Sequence, residues 1–165
     1  MLSDRRRTLP QGDWETVRRD FRWRIPEEFN IAVACADDWA RAKPNDPAII
    51  DIDGRGVRRV WTYAELKNAS DRLASGLRAR GIAKGDRVAV LLSQSPEVLV
   101  AHFAVMKLGA IVLPLFTLFG EEALRFRLAD SGARAAITDD ANLDKLMDVA
   151  ATLDALETVI TVDQP

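Results

Sequence analysis

Residues 85–140 read GDRVAVLLSQSPEVLVAHFAVMKLGAIVLPLFTLFGEEALRFRLADSGARAAITDD. Within that stretch, short apolar β-rich runs alternate with longer helical ones. Arg87–Leu92 reads as a strand and Pro96–Leu108 as a helix, apolar almost all round over Val98–Met106. The alternation continues as a strand over Ala110–Leu113, a helix over Glu121–Asp130 and a strand over Arg134–Thr138. A helix over Leu143–Thr152 and a strand over Thr158–Val162 complete it. Strand and helix in strict turn are the mark of parallel βαβ units, because a parallel neighbour can be reached only by a crossover. Ser95 and Pro96 suit a helix start, and Gly109 and Gly132 suit helix exits. Val98–Met106 predicts a deeply buried helix.

Upstream of this stretch the signals change. Ala48–Asp53 and Val57–Trp61 are short β-rich runs separated by Gly54-Arg55-Gly56, which predicts a β-hairpin. Thr62 then stands three residues before Glu65, the spacing of a capping box, and opens a helix that runs to Arg80 and stops at Gly81. Its apolar positions Leu66, Ala69, Leu73 and Leu77 recur every three or four residues, leaving Lys67, Asp71, Arg78 and Arg80 for water. Phe29, Val33, Ala36, Trp39 and Ala40 form a similar stripe, predicting a helix over Glu27–Ala42 packed through Trp39. Residues 1–26 carry Trp14, Phe21 and Trp23 among arginines without sustained periodicity and are expected to be a surface arm with aromatic anchors. The fold class is therefore α/β, a hairpin followed by parallel βαβ units.

Bulk composition narrows the function classes. With 165 residues, 48% hydrophobic and 29% charged, the chain can bury one real core. A formal net charge of −2 provides no basic face for nucleic acid. The longest apolar stretch, Leu108–Phe119, is broken by Gly109 and Pro114 and is shorter than the roughly 20 residues of a membrane-spanning helix. Arg5, Arg6 and Arg7 precede no apolar segment, so the N-terminus reads as a solvated leader. Cys35 is the sole cysteine, which rules out an internal disulfide and fits a reducing, cytoplasmic setting.

Several residues invite chemistry and have a plainer reading beside it. Gly54-Arg55-Gly56 lacks the third glycine and the strand-to-helix setting of a dinucleotide fingerprint, and Ser93-Gln94-Ser95-Pro96 has the setting without a glycine. They read as a hairpin turn and a helix cap. His102 lies within an apolar helix with no nucleophile or carboxylate one turn away, so it reads as a hydrogen-bonded structural histidine rather than an acid or base. Asp139, Asp140, Asp144 and Asp148 suggest either a metal site or, more simply, a helix cap and a solvated face. Pro114-Leu115-Phe116-Thr117-Leu118-Phe119-Gly120 follows the carboxyl end of a predicted parallel strand, the place where α/β sheets take ligands. Its alternative is a hydrophobic loop closing the core.

Five short motifs occur here in a fixed order: Trp61-Thr62-Tyr63 with Glu65-Leu66, Gly85-Asp86-Arg87-Val88, Pro96-Glu97, Lys107 with Gly109-Ala110 and Pro114, and Leu128 with Asp130-Ser131 and Ala133. In this order the chain resembles the opening region of the adenylate-forming, AMP-binding acyl-CoA synthetases. Phe29-Asn30 and Leu113–Gly120 resemble the acetyl- and medium-chain branch. The resemblance implies the partial N-terminal subdomain of the adenylate-forming fold, with residues 1–26 as an arm and residues 27–165 as a domain that ends partway through.

It also implies the parent activity, a ligase that activates a carboxylic acid with ATP and Mg2+ to acyl-AMP and transfers the acyl group to coenzyme A. The family's Ser/Thr/Gly-rich loop, Tyr-Gly-x-Thr-Glu segment, Arg-Asp hinge and C-terminal lysine do not occur in these 165 residues. The chain alone is accordingly expected to be inactive, to leave apolar surface uncovered, and to partner with the remainder of the ligase or with itself. Phe116, Thr117 and Leu118 match the loop that borders the coenzyme A channel in the family. Where some members place arginines for the coenzyme's phosphates, this chain has Asp140 and Asp144. Two other readings stand beside it: a noncatalytic binding module derived from the same subdomain, and an unrelated flavodoxin-like or receiver-like domain.

Overall fold

The computed structural model describes residues 12–23, 26–56 and 58–162. Strands β3 (Arg87–Leu91), β4 (Ile111–Pro114), β5 (Ala135–Asp139) and β6 (Thr158–Val162) form a sheet in the order β4-β3-β5-β6, with every pairing parallel. Each crossover is a helix: α4 (Pro96–Lys107), α5 (Glu121–Ser131) and α6 (Asp140–Ala150). The chain steps from β3 outward to β4, then α5 carries it back past β3 to β5. The direction of winding therefore reverses between β3 and β5.

The two-residue period of a strand divides the core. Val88, Val90 and Ile137 face α4 and α3 (Tyr63–Ala79), where Leu77, Ala101, Ala104 and Val105 close the layer. Ala89, Leu91 and Ala136 face the other way, onto Leu124 and Leu128 of α5 and Leu146 and Val149 of α6. Burial on both faces explains why β3 and β5 read as continuous apolar runs rather than alternating ones. At Gly132 the φ of 58° is left-handed, and an added Cβ would lie 2.8 Å from the Arg87 guanidinium. That guanidinium donates to the Ser131 and Gly132 carbonyls at 2.6 and 2.7 Å, tying the exit of α5 to the start of β3.

The hairpin forms as expected, with β1 (Pro47–Ile52) antiparallel to β2 (Arg58–Thr62); Val57 lies outside the described residues. Thr62 and Glu65 make the reciprocal capping box, the Thr62 N–H donating to Glu65 Oε2 at 2.7 Å and the Glu65 N–H to Thr62 Oγ1 at 3.2 Å. Ile49 and Trp61 seat the hairpin on Leu66, Ala36 and Val100.

Three expectations are corrected. The Glu27–Ala42 helix begins later, with residues 31–32 leading into a π-helical turn, Val33–Asp37, and then α2 (Asp38–Ala42). Asn30 sets that start: its Oδ1 accepts the Ala32 and Val33 N–H groups at 3.0 and 3.2 Å, and its Nδ2 donates to the Met106 carbonyl at 2.7 Å. Phe29 thus falls outside the helix and is exposed, while Trp39 stacks on Tyr63 with ring centroids 5.5 Å apart.

In the arm, Trp14–Asp20 is a helix (α1), capped by Asp13 accepting the Thr16 N–H at 2.8 Å. Trp14 and Trp23 are exposed and do not anchor it; Arg5, Arg6 and Arg7 lie outside the described residues. Lastly, α4 buries Val100, Ala101, Ala104 and Val105 but leaves Leu99 partly in solvent, so it is buried along one side rather than all round.

Candidate functional site

The loop after β4 stands at the carboxyl rim of the sheet, and three elements hold it. Its first residue, Leu115, is buried and donates its N–H to the Val90 carbonyl of β3 at 2.9 Å. Phe119 closes the turn by donating its N–H to the Phe116 carbonyl at 3.0 Å, with the two rings edge to face at 5.7 Å. Arg127 of α5 lays its guanidinium over the Phe119 ring, 4.1 Å from the centroid. Lys145 of α6 donates from Nζ to the Thr117 carbonyl at 2.6 Å. Held this way, Phe116 and Leu118 remain 71% and 92% exposed.

Phe116, Thr117 and Leu118 lie on this loop as an open apolar tip rather than a closed seal over the core. Lys145 and Arg127 were missed. The one available signal was Lys145 itself, the lone cation in the acid-rich run Asp139–Asp148, where the surrounding carboxylates drew the reading toward metal or cap.

Beside the loop, the crevice where the winding reverses is filled by protein. Asp139, 2% exposed, ends β5 and caps α6. Its carboxylate accepts the Ser93 N–H at 2.7 Å and, from Asn142, the backbone N–H at 3.1 Å and Nδ2 at 2.6 Å. Burial alone would push this carboxyl up. The Ser93 and Asn142 donors outweigh it and hold the group below its ordinary value. Open α/β sheets take anionic ligands at such a reversal, and here the anion is a side chain. This cap also starts α6 at Asp140, three residues earlier than its periodicity suggested. Asp140, Asp144 and Asp148 are exposed, and among the described residues no group of three or more His, Cys, Asp or Glu is arranged to hold a metal.

Two further polar groups lie on or beside α4. His102 is half-buried, and burial pushes its imidazole below the ordinary value. Among the described residues its Nε2 has no hydrogen-bond partner, which corrects the expectation of a hydrogen-bonded histidine. Lys107, 9% exposed at its side chain, makes ion pairs with Asp37 at 2.7 Å and with Asp71, which also pairs with Lys67 of the same helix. Lys67 and Asp71, assigned to water by periodicity, are instead half-buried partners of this cluster.

Comparison with known proteins places this geometry. The family model described as AMP-binding enzyme matches residues 36–165. Among curated proteins, the mitochondrial acyl-coenzyme A synthetase ACSM3 of Mus musculus is 33% identical over 172 aligned positions, which cover 99% of this chain and 30% of that protein. Acetyl-coenzyme A synthetase of Psychrobacter cryohalolentis is 35% identical, covering 87% of this chain and 24% of its own length. Among solved structures, a Brucella canis acyl-CoA synthetase superposes with a TM-score of 0.76 at 29% identity, covering 96% of this chain and 28% of that one. The chain spans about a third or less of the length of these relatives.

Proposed function

Since the chain belongs to the AMP-binding enzyme family, we propose that it is the N-terminal portion of an AMP-forming acid–thiol ligase and supplies one wall of the path taken by coenzyme A. In the parent reaction a carboxylate oxygen attacks the α-phosphorus of ATP, releasing pyrophosphate and forming an acyl adenylate. The thiol of coenzyme A then attacks the acyl carbon and AMP leaves. The single observation that carries the reading is the loop 115–119, whose apolar side chains stand in solvent at the carboxyl rim while Lys145 holds its middle and Arg127 its end.

The chemistry of the residues present divides the labour. An extended thiol-bearing ligand with a long amide arm needs nonpolar walls and backbone edges, and Phe116, Thr117 and Leu118 offer both. A magnesium triphosphate needs a cradle of N–H groups and several oxygen ligands. The described residues do not fit it, because the switch-point N–H groups of Ser93 and Asn142 already serve Asp139. ATP and Mg2+ therefore belong to other parts of the ligase, and the chain alone does not adenylate an acid. Its partner is the remainder of that ligase, for which Ile50, Ile52, Phe126 and Met147 leave apolar surface open. No helix among the described residues is long and apolar enough to cross a membrane. We place the ligase in the cytoplasm, which cell fractionation tests.

The test joins two measurements. Calorimetric titration of the chain with coenzyme A is expected to give binding that Leu118→Asp weakens at least fivefold. Pyrophosphate release with ATP and an acyl acid is expected to be absent from the chain and restored when the chain replaces the matched first third of an acyl-CoA synthetase. Pyrophosphate formed by the chain alone, or coenzyme A binding indifferent to Leu118→Asp, would overturn the proposal.

A further inference from the structure

Of the groups that hold the loop 115–119, Lys145 alone grips it between its two exposed side chains. Val90 receives the loop's first N–H, and Arg127 touches the ring of its last residue. Lys145 reaches across 28 positions to the carbonyl of Thr117, which has Phe116 on one side and Leu118 on the other. A hydrogen bond from an ammonium is among the stronger kinds. It fixes a carbonyl direction and hence the paths of both neighbouring side chains.

The lysine is itself placed by a rigid support. Asp139 caps α6 with its carboxylate shared between Ser93 and Asn142, so the helix that carries Lys145 is keyed to the end of β5 and to the loop after β3. The ends of β3, β4 and β5 are thereby coupled through one helix. Asp148, three positions on along α6, is exposed, and among the described residues the Lys145 ammonium donates to the Thr117 carbonyl and pairs with no carboxylate. A lysine that donates to a backbone carbonyl on another element, 28 positions away, is placed by that bond rather than left to solvent.

We propose that Lys145 is a positioning residue for the coenzyme step: its ammonium sets the course of the loop 115–119 and so the way Phe116 and Leu118 are offered to the incoming thiol substrate. This rests on the reading of that loop as a coenzyme A wall. The role is geometric and specific to the loop, and the sheet beneath does not depend on it.

Hydrogen exchange and coenzyme A titration on the whole chain test it together. Lys145→Met is expected to speed exchange of the Phe119 amide, which donates to the Phe116 carbonyl, about tenfold, with protection of β3 and β5 unchanged, and to weaken coenzyme A at least fivefold. Lys145→Arg, which keeps a cationic donor, is expected to restore both to within about twofold of the parent. Unchanged exchange at Phe119 in Lys145→Met overturns the positioning role, as does faster exchange throughout the sheet, which would mark a general structural part. Coenzyme A binding by the parent chain that Lys145→Met leaves intact overturns it while sparing the wall reading. A parent chain that binds no coenzyme A defeats the wall reading and with it the coenzyme role, leaving the exchange result to decide the loop anchor by itself.

Discussion

Lys107 and Lys145 occupy opposite kinds of surroundings in the same small domain. Lys107 is enclosed and paired with two carboxylates, one from the π-helical turn and one from α3. Lys145 sits at a rim, holds a single backbone carbonyl, and borders two of the most exposed apolar side chains among the described residues. The first arrangement fastens the π-helical turn and α3 to the end of α4. The second is built and yet unfinished, which is the condition expected of a surface that receives something.

If the contrast holds, disturbing the enclosed lysine should cost stability, and disturbing the rim should cost binding. The largest effect is expected for Lys107→Met, which strands the largely buried Asp37 without its cation while Asp71 keeps Lys67, and should lower unfolding stability by about 3 kcal/mol in urea denaturation. Asp139→Ala comes next. It leaves the Ser93 and Asn142 donors without an acceptor and is expected to cost about 2–3 kcal/mol.

The same carboxylate carries a pH signature. Its folded-state pKa is held below the ordinary 3.8, so its contribution is complete above that value and is lost as pH falls through the lower, folded one. Asp139→Asn should flatten the acid limb of a stability–pH curve below about pH 4. An unchanged limb would remove Asp139 from the account.

Thr62→Ala deletes one half of the capping box of α3 and should cost about 1 kcal/mol, visible as a lower melting temperature. The smallest effect belongs to the rim. Leu118→Ser is expected to change stability by no more than about 0.5 kcal/mol, since the side chain is almost wholly in water, while weakening coenzyme A. A stability loss comparable to that of Lys107→Met would erase the distinction between the two regions.

Much of the fold was legible because local signals and tertiary placement agree. The capping box at Thr62, the exit at Gly132 and the alternation of strand and helix through β3 and β5 each pointed to the element observed. Failures arose where a distant partner decides. The start of the helix before α2 moved because Asn30 bonds to Met106, 76 positions away, and Asp71, with its partner Lys67, left the solvent because Lys107 pairs with Asp71 from another helix. At the candidate site the apolar tip was readable as a run of residues. Its lysine anchor was not, because a side chain that seeks a backbone carbonyl leaves no pattern in sequence.

The sheet order also bears on how the chain reaches this state. The partners Arg87 and Ile111 of the β3–β4 pair are 111 − 87 = 24 positions apart, whereas Val88 and Ala135 of the β3–β5 pair are 135 − 88 = 47 apart. Doubling a loop adds only about 0.6 kcal/mol of closure entropy, but the outer pair brings its own helix and an early hydrophobic layer. We expect β3, α4 and β4 to form the nucleus and β5 to join afterward, trapping Asp139 over Ser93 as a late event. Folding and unfolding rates would show it: Val105→Ala should slow folding, and Asp139→Ala should chiefly hasten unfolding. The reverse ordering would mean that the crevice, rather than the crossover, is assembled first.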